Sequence, residues 1–489
     1  MSLGIHTFPT TWACHRLSDF SGAMGGQMFW LGPVPLLVLA SAILLHFVVR
    51  RRVWQNSILL LLGGYVMWHE SPMSFFLLFT SAAIEFLLAT WILRSRSPRI
   101  RSALLWSSVA MNASIALLVL SRTLQSHFVA ELHHAGILGV AGRELVVEFP
   151  KAYFVYVLVS KITLTLDAYK GRMKEPPRFL DAMAFSTLFT RFRGMPNDRA
   201  RDTIPMLSDA RRWNRVQAED ALWLVASGLL KLGLLLELVG PTDRLLGRES
   251  SGLAVMVGAW IYAIRMYLDM SSLIDLFRGF ALLVGIGLPE NFDAPFLSRN
   301  ISEFWRRWNI TVMNFLNEEV FSRLSFALRG WGMWGVAFAL LVTFMGSGLA
   351  HVLSWTMVIW SSIQAGSIVT YLNCRNRIRK WAKVRGNPGW MPVASWFLTM
   401  NVVALSMAML SYNSVRATIS VLIAMIHGPF WPAWCSSIGW GGVLAACAFT
   451  VLLQLVPHFR GGDTWMRKLR PWNRLAVGIG FVLLIILFN

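Results

Sequence analysis

PMSFFLLFTSAAIEFLLATWIL, residues 72–93, is an apolar run of the length that crosses a bilayer. A spanning helix needs about 20 consecutive apolar residues, because its backbone groups must satisfy one another where no water can reach them. Working outward from this run, others follow at 28–49, 53–69, 102–121, 151–168, 221–240, 252–277, 331–350, 353–372, 391–412, 437–456 and 474–488. Segments 53–69 and 474–488 barely reach that length and 179–190 and 417–427 fall short, so tilted or re-entrant pieces are expected. Pro429 and Pro432 interrupt the stretch 413–436, which makes the crossing count there uncertain by one. The sequence predicts an all-α polytopic integral membrane protein of about 11–12 transmembrane helices, with re-entrant and amphipathic helices around a buried chamber. It reads as one membrane-embedded domain over 1–489, with N-terminal spans in 28–150, a central core in 151–372 and C-terminal spans in 373–489.

Composition agrees. Of 489 residues, 55% are hydrophobic and 14% charged, with 31 Phe and 23 Trp, too oily for a soluble enzyme whose single core stops growing near 250–300 residues. Disordered, fibrous and disulfide-rich secreted classes are excluded. Lys and Arg number 45 against 25 Asp and Glu, a formal charge of +20. The clusters Arg50 to Arg52, Arg94 to Arg101, Arg191 to Arg215 and Arg375 to Arg385 all flank apolar runs. That is the pattern of cytoplasmic loops facing anionic headgroups, so no nucleic-acid partner is expected. With the basic loops inside, both termini fall outside a multi-pass inner (plasma) membrane. The polar stretch Arg191 to Arg215 reads as a linker lying against the membrane surface, through Pro205 and Trp213. The first 27 residues show no basic-then-apolar order ending in a cleavage signature, so the first span is expected to serve as the insertion signal. Cys14, Cys374, Cys435 and Cys447 are scattered without a C-x-x-C, which points to packing rather than disulfides or a thiolate metal site.

Two segments carry candidate chemistry. Gly287 to Leu324 is a less lipid-like, amphipathic stretch on the cytoplasmic side. Ser302 there is a candidate helix cap, Glu303 and Arg307 are spaced four apart for an ion pair, and Trp305 and Trp308, three apart, would share a face. The second segment, FMGSGLAHVLSW at 344–355, places His351 at the end of an apolar run. An ionisable group there is costly and marks a functional hypothesis, though spacing alone equally allows a histidine satisfied by one carbonyl. Gly346, Ser347 and Gly348 permit close approach of another backbone or a ligand. His133 and His134 are adjacent and cannot share a helix face, and His69 sits at a span end beside Glu70. No H-E-x-x-H, G-x-S-x-G or P-loop pattern occurs, so metal hydrolysis, elbow-type esterase chemistry and nucleotide hydrolysis have no support.

The runs YLDMSSLIDLFRGFALLVGIGL at 267–288 and PENFDAPFLSRNISEFWRRWNIT at 289–311, followed by His351, resemble the membrane-bound O-acyltransferase family. The likeness is to its bacterial branch, which contains alginate O-acetyltransferase and teichoic-acid D-alanyltransferase. It is strongest over roughly 265–360, with an echo in LDAYKGRMKEPPRFLDAMAF at 166–185. The resemblance implies that His351 is the general base taking the acceptor hydroxyl's proton, a role worth roughly a hundred- to ten-thousand-fold. It also implies that Asp269, in the run with Tyr267 and Ser271, orients the site or pairs with a basic residue. Arg306 and Arg307 are candidates for donor phosphates, with Arg307 alternatively serving Glu303. Trp305, Trp308 and Ser347 complete the candidate substrate-binding set.

Two departures matter. Asn309 stands where the bacterial branch carries histidine; it cannot be a base but can donate from its amide, and lipid-acylating branches carry Asn there. FRGMP at Phe192 to Pro196 replaces the bacterial P-Q-x-x-A-G-P. The expected activity is transfer of an acetyl or related acyl group from a thioester to a hydroxyl of an envelope polysaccharide or glycolipid. The donor would be acyl-CoA or an acyl carrier, with no permanently bound cofactor, no metal, and a partner protein of an envelope-modification system possible. The alternatives are fatty-acyl transfer to a lipid or small alcohol, or a proton-coupled transporter using His351, Asp269 and Arg265. The inverted repeats that transport would favour are not found.

Overall fold

The computed structural model describes residues 33–121, 154–191, 197–247, 250–412, 415–427 and 429–460. These are mostly helical, with no β-strand among them. In chain order the helices are α1 (Pro33–Val48), α2 (Arg52–Glu70), α3 (Pro72–Arg94), α4 (Pro98–Leu120), α5 (Phe154–Tyr169), α6 (Phe179–Ser186), α7 (Ala200–Ser208), α8 (Arg215–Leu245) and α9 (Gly252–Leu283). The short α10 (Ile301–Arg307), α11 (Ile310–Leu316) and α12 (Ser322–Ala327) precede α13 (Met333–Leu349), α14 (Trp355–Val384), α15 (Met391–Ala408), α16 (Val415–His427) and α17 (Trp440–Arg460). Among the described residues α3, α4, α8, α9 and α15 are long and apolar enough to cross a bilayer, and shorter apolar helices accompany them. The chain is an all-α polytopic membrane protein, as its apolar runs predicted. Cys14, His133, His134, Phe192 to Pro196 and the run 474–488 lie outside the described residues.

Two apolar cores share one wall. The first gathers α1 to α7, and the second α8, α10, α13 to α15 and α17. Helix α9 contributes its first half, Ala254 to Leu268, to the second core and its last turns, Ile274 to Ala281, to the first. It packs most extensively on α8, and glycines set the spacing. A Cβ on Gly228 would stand 2.7 Å from the Ser272 carbonyl, and one on Gly279 2.8 Å from that of Ala221. Close backbone approach through small residues is how helices associate where lipid offers no hydrophobic drive.

Two stretches differ from expectation. The basic cluster Arg375 to Arg385 is largely helix, for α14 runs on to Val384 and carries its basic residues on an exposed extension. Arg and Lys are good helix formers, so the helix continues past the membrane boundary. The described parts of Arg191 to Arg215 are not a surface linker. Arg191 is 1% exposed; its Nε and Nη2 donate to Asp198 at 3.0 and 2.7 Å, and its guanidinium lies 4.0 Å from the Phe185 ring. α7 follows, burying Thr203, Ile204 and Leu207. Buried charge is tolerated here because it is paired and bidentate. Trp213 does remain exposed, at 59%.

Candidate active site

The segment 289–311 folds back on itself. The Phe292 and Trp308 backbones form an isolated antiparallel bridge, and Asp293 N donates to Arg307 O at 3.0 Å. Asn291 fastens the far end: its backbone carbonyl accepts from Ile310 N at 2.9 Å, and its Oδ1 from Thr311 N and Oγ1 at 3.0 and 2.5 Å. Thr311 Oγ1 also accepts from Asn197 N at 2.9 Å, tying the clamp to the first core. Between α10 and α11 the chain turns at Asn309, whose φ of 47° and ψ of 54° are left-handed. Asn adopts that region more readily than other side chains, so the residue type has a backbone reason. Its side chain makes no capping bond to α11, and the residue is 9% exposed.

Within α10 the cap is Asn300, not Ser302. Asn300 Oδ1 accepts from Glu303 N at 2.9 Å, and Ser302 lies inside the helix. The Glu303–Arg307 ion pair forms at 2.8 Å, and Arg307 reaches the Ala294 carbonyl at 3.5 Å, whereas Arg306 is exposed. Trp305 and Trp308 do not share a face, because Trp308 is the C-cap residue with extended backbone, φ −104° and ψ 124°. Trp308 stacks on Phe304, centroids 5.3 Å apart, and meets Phe292 and Tyr267 at 5.1 and 6.3 Å. Trp305 turns the other way, against Phe344 and Trp360 at 5.2 and 5.7 Å, and its Nε1 donates to Gln364 Oε1 at 3.1 Å. Gln364 in turn donates to Ser406 Oγ at 2.8 Å, locking the indole to α14 and α15.

Phe344 leads to His351. Phe344 and Ser347 lie one turn apart on α13, and His351 follows two residues beyond the end of that helix at Leu349. The α13–α14 turn holding His351 is tight: Gly348 accepts from His351 N at 3.0 Å, and a Cβ on Gly348 would stand 2.6 Å from Ser361 Oγ. Gly346, by contrast, has open space beside it. His351 is half-buried in that turn. On α9, Asp269 is exposed and Tyr262, two turns before it, is half-buried.

The carboxylate paired to a buried cation is Asp275, not Asp269. Asp275 Oδ2 bonds Lys231 Nζ at 2.5 Å and Ser227 Oγ at 3.0 Å, bridging α8 and α9. Lys231 Nζ also lies 5.7 Å from the centroid of Tyr267, which is buried against Phe292 and Phe296. Arg265, one turn from Asp269, bonds Asp243 at 2.6 Å. Sequence reasoning passed over Lys231, Asn291 and Gln364. Lys231 was detectable as a lone charge inside an apolar helix, whereas the roles of Asn291 and Gln364 depend on contacts far apart in the chain.

Fold and site together define a polytopic helical membrane protein in which two motif-bearing segments meet where Trp305 packs on Phe344, seven residues before His351. No family model matches the chain. It is 26% identical over 319 residues to the probable alginate O-acetylase AlgI of Azotobacter vinelandii, covering 63% of this chain and 61% of that protein. It is 23% identical over 269 residues to the teichoic acid D-alanyltransferase of Bacillus subtilis, covering 51% and 64%. Over 182 residues it is 26% identical to the peptidoglycan O-acetyltransferase of Helicobacter pylori, covering 35% and 32%. The chain thus spans about three fifths of the length of the alginate O-acetylase it matches. These relatives are members of the membrane-bound O-acyltransferase family, and the resemblance read from the motifs is borne out.

Proposed function

We propose that this protein is an O-acyltransferase that moves an acetyl or related acyl group from a thioester to a hydroxyl of a cell-envelope polymer, with His351 as general base. The observation that carries the reading is the junction of the motifs: Trp305, in the amphipathic element, packs on Phe344 of α13, the helix that ends two residues before His351. Imidazole takes the hydroxyl proton as the oxygen attacks the thioester carbonyl; the C–S bond then breaks, and the departing thiolate receives that proton. No acyl-enzyme is required, and proton transfer of this kind is worth roughly a hundred- to ten-thousand-fold. The named relatives act on alginate, teichoic acid and peptidoglycan, which supports a polymeric envelope acceptor here.

The donor, acyl-CoA or an acyl carrier, enters from the face bearing the basic loops, and Arg306, the exposed guanidinium of the pair, is the better placed to meet its phosphates. Asn309 does not favour a lipid acceptor, because its left-handed backbone already accounts for the residue type. The test is transfer in sealed proteoliposomes containing envelope glycan and labelled acyl thioester, scored as alkali-labile ester on the glycan. Label on the glycan is the expected result. Label found only in lipid would replace the polymer acceptor with a lipid one, and no thioester-dependent label would overturn the reading.

A further inference from the structure

Between α9, α15 and α17 lies a cleft of about 120 Å³, walled by Trp260, Ala263, Phe296, Trp396, Ala404 and Gln454 among others. Both indole N–H groups are engaged, Trp260 with Asn401 Oδ1 at 3.2 Å and Trp396 with the Phe296 carbonyl at 2.7 Å. The two rings therefore offer a ligand apolar faces. Gln454 is the polar residue on the wall and is 3% exposed. Its Oε1 accepts from Phe296 N at 3.2 Å, and its Nε2 has no partner. A buried amide donor without an acceptor is unfavourable, so an occupant should bring both hydrocarbon and a carbonyl.

Depth selects the occupant. In sequence, Gln454 precedes the basic end His458-Phe459-Arg460, Trp396 follows the cluster Arg375 to Arg385, and Phe296 lies three residues before Arg299. Basic ends of this kind face the cytoplasm, and Trp at such positions forms the interfacial belt. The cleft thus sits at the boundary of headgroups and chains, where glycerolipids present their ester carbonyls. We propose that one acyl chain of a cytoplasmic-leaflet diacyl glycerophospholipid lies in this cleft, with its ester carbonyl accepting from Gln454 Nε2. Phe296 is wall to both cleft and motif core, meeting Tyr267 at 5.5 Å and Trp308 at 6.4 Å, so the bound chain braces the loop that carries the PENF run.

The test is native mass spectrometry of the full-length delipidated protein with two probes, a diester phosphatidylglycerol and its diether analogue, which lacks the carbonyls. The wild type should bind one diester lipid about fivefold more tightly than the diether, the value of one ordinary hydrogen bond. Gln454→Leu should erase that preference while keeping a lipid adduct, and Ala404→Phe, which fills the cleft, should remove the adduct for both lipids. Equal affinity of the wild type for the two lipids, or an unchanged preference in Gln454→Leu, would overturn the proposal. So would retention of the adduct by an Ala404→Phe protein that melts normally, or binding of an acyl thioester in place of the phospholipid. Gln454→Leu keeps the test decisive should Ala404→Phe fail to fold.

Discussion

Asn309 acts visibly through its backbone, which separates two uses of one residue. Asn309→Gly keeps the left-handed turn and removes the amide, so its thermal stability in detergent should stay within about 1 kcal/mol of the parent. Asn309→Val should lose about 1–2 kcal/mol or more, because a β-branched side chain resists that region. A valine variant as stable as the parent would contradict the turn; and if the amide meets substrate, Asn309→Gly should slow transfer without unfolding. Trp305→Phe poses a similar choice: it preserves the ring against Phe344 and Trp360 but strands Gln364, 1% exposed, at a cost of about 1–3 kcal/mol. Thermal melts of Trp305→Phe and of Trp305→Phe with Gln364→Leu check this, the double variant being the more stable. Such contacts were only partly legible in the sequence. The motif named Trp305 and Trp308, and spacing gave the Glu303–Arg307 pair, but Asn and Ser cap helices about equally well, so Asn300 could not be preferred to Ser302 beforehand.

Helices α8 and α9 are joined by glycine contacts and by the Lys231–Asp275 pair, whose members are 8% and 9% exposed. Removing Lys231 leaves the buried Asp275 carboxylate only Ser227 and the Arg278 guanidinium 4.0 Å away, so Lys231→Met should destabilise by up to about 3–5 kcal/mol, and Lys231→Met with Asp275→Leu should recover most of it. Thermal melts or denaturant titration decide; a double variant no better than the single would argue against the pair. The π-helical turn Asn317–Phe321 is fastened differently, at the surface. Partial burial pushes the Glu318 carboxyl up, but hydrogen bonds from Arg172 and Lys170 and the charges of Arg199 and Lys170 outweigh it, holding it at about 2. A depressed carboxyl stabilises above its unfolded value near 4.5 and loses that contribution as pH falls toward 2. The melting temperature of the parent should therefore exceed that of Glu318→Gln at pH 7, and the gap should close between about pH 4.5 and 2. A gap independent of pH would remove the ionic explanation. Helix existence was readable from hydrophobic length, whereas the burial of Arg191 was not, because hydropathy cannot see that Asp198 will meet its guanidinium on both oxygens.

The molecule is two apolar cores sharing α9, with the PENF loop folded across the seam so that Asn291 and Thr311 tie it to the segment at Asn197. This arrangement explains why local motifs were easier to read than their meeting. Apolar runs announced the helices and the motifs announced the chemistry, while the placement of Trp305 against the helix preceding His351 depends on α13 and α14 closing through Gly348. It also explains why the pairing of Asp275 is not legible in the sequence: Asp269 and Asp275 are both single acids in an apolar helix, and only packing against α8 supplies Lys231 to the second. The central claim is that the His351 imidazole removes the acceptor's proton. Initial rates of acyl transfer from thioester to glycan should be compared for the parent and His351→Gln at equal amounts of protein with matching melting temperatures. The account predicts a loss of at least about a hundredfold in turnover with the variant still folded in the membrane; a folded His351→Gln protein that transfers at the parental rate would contradict it.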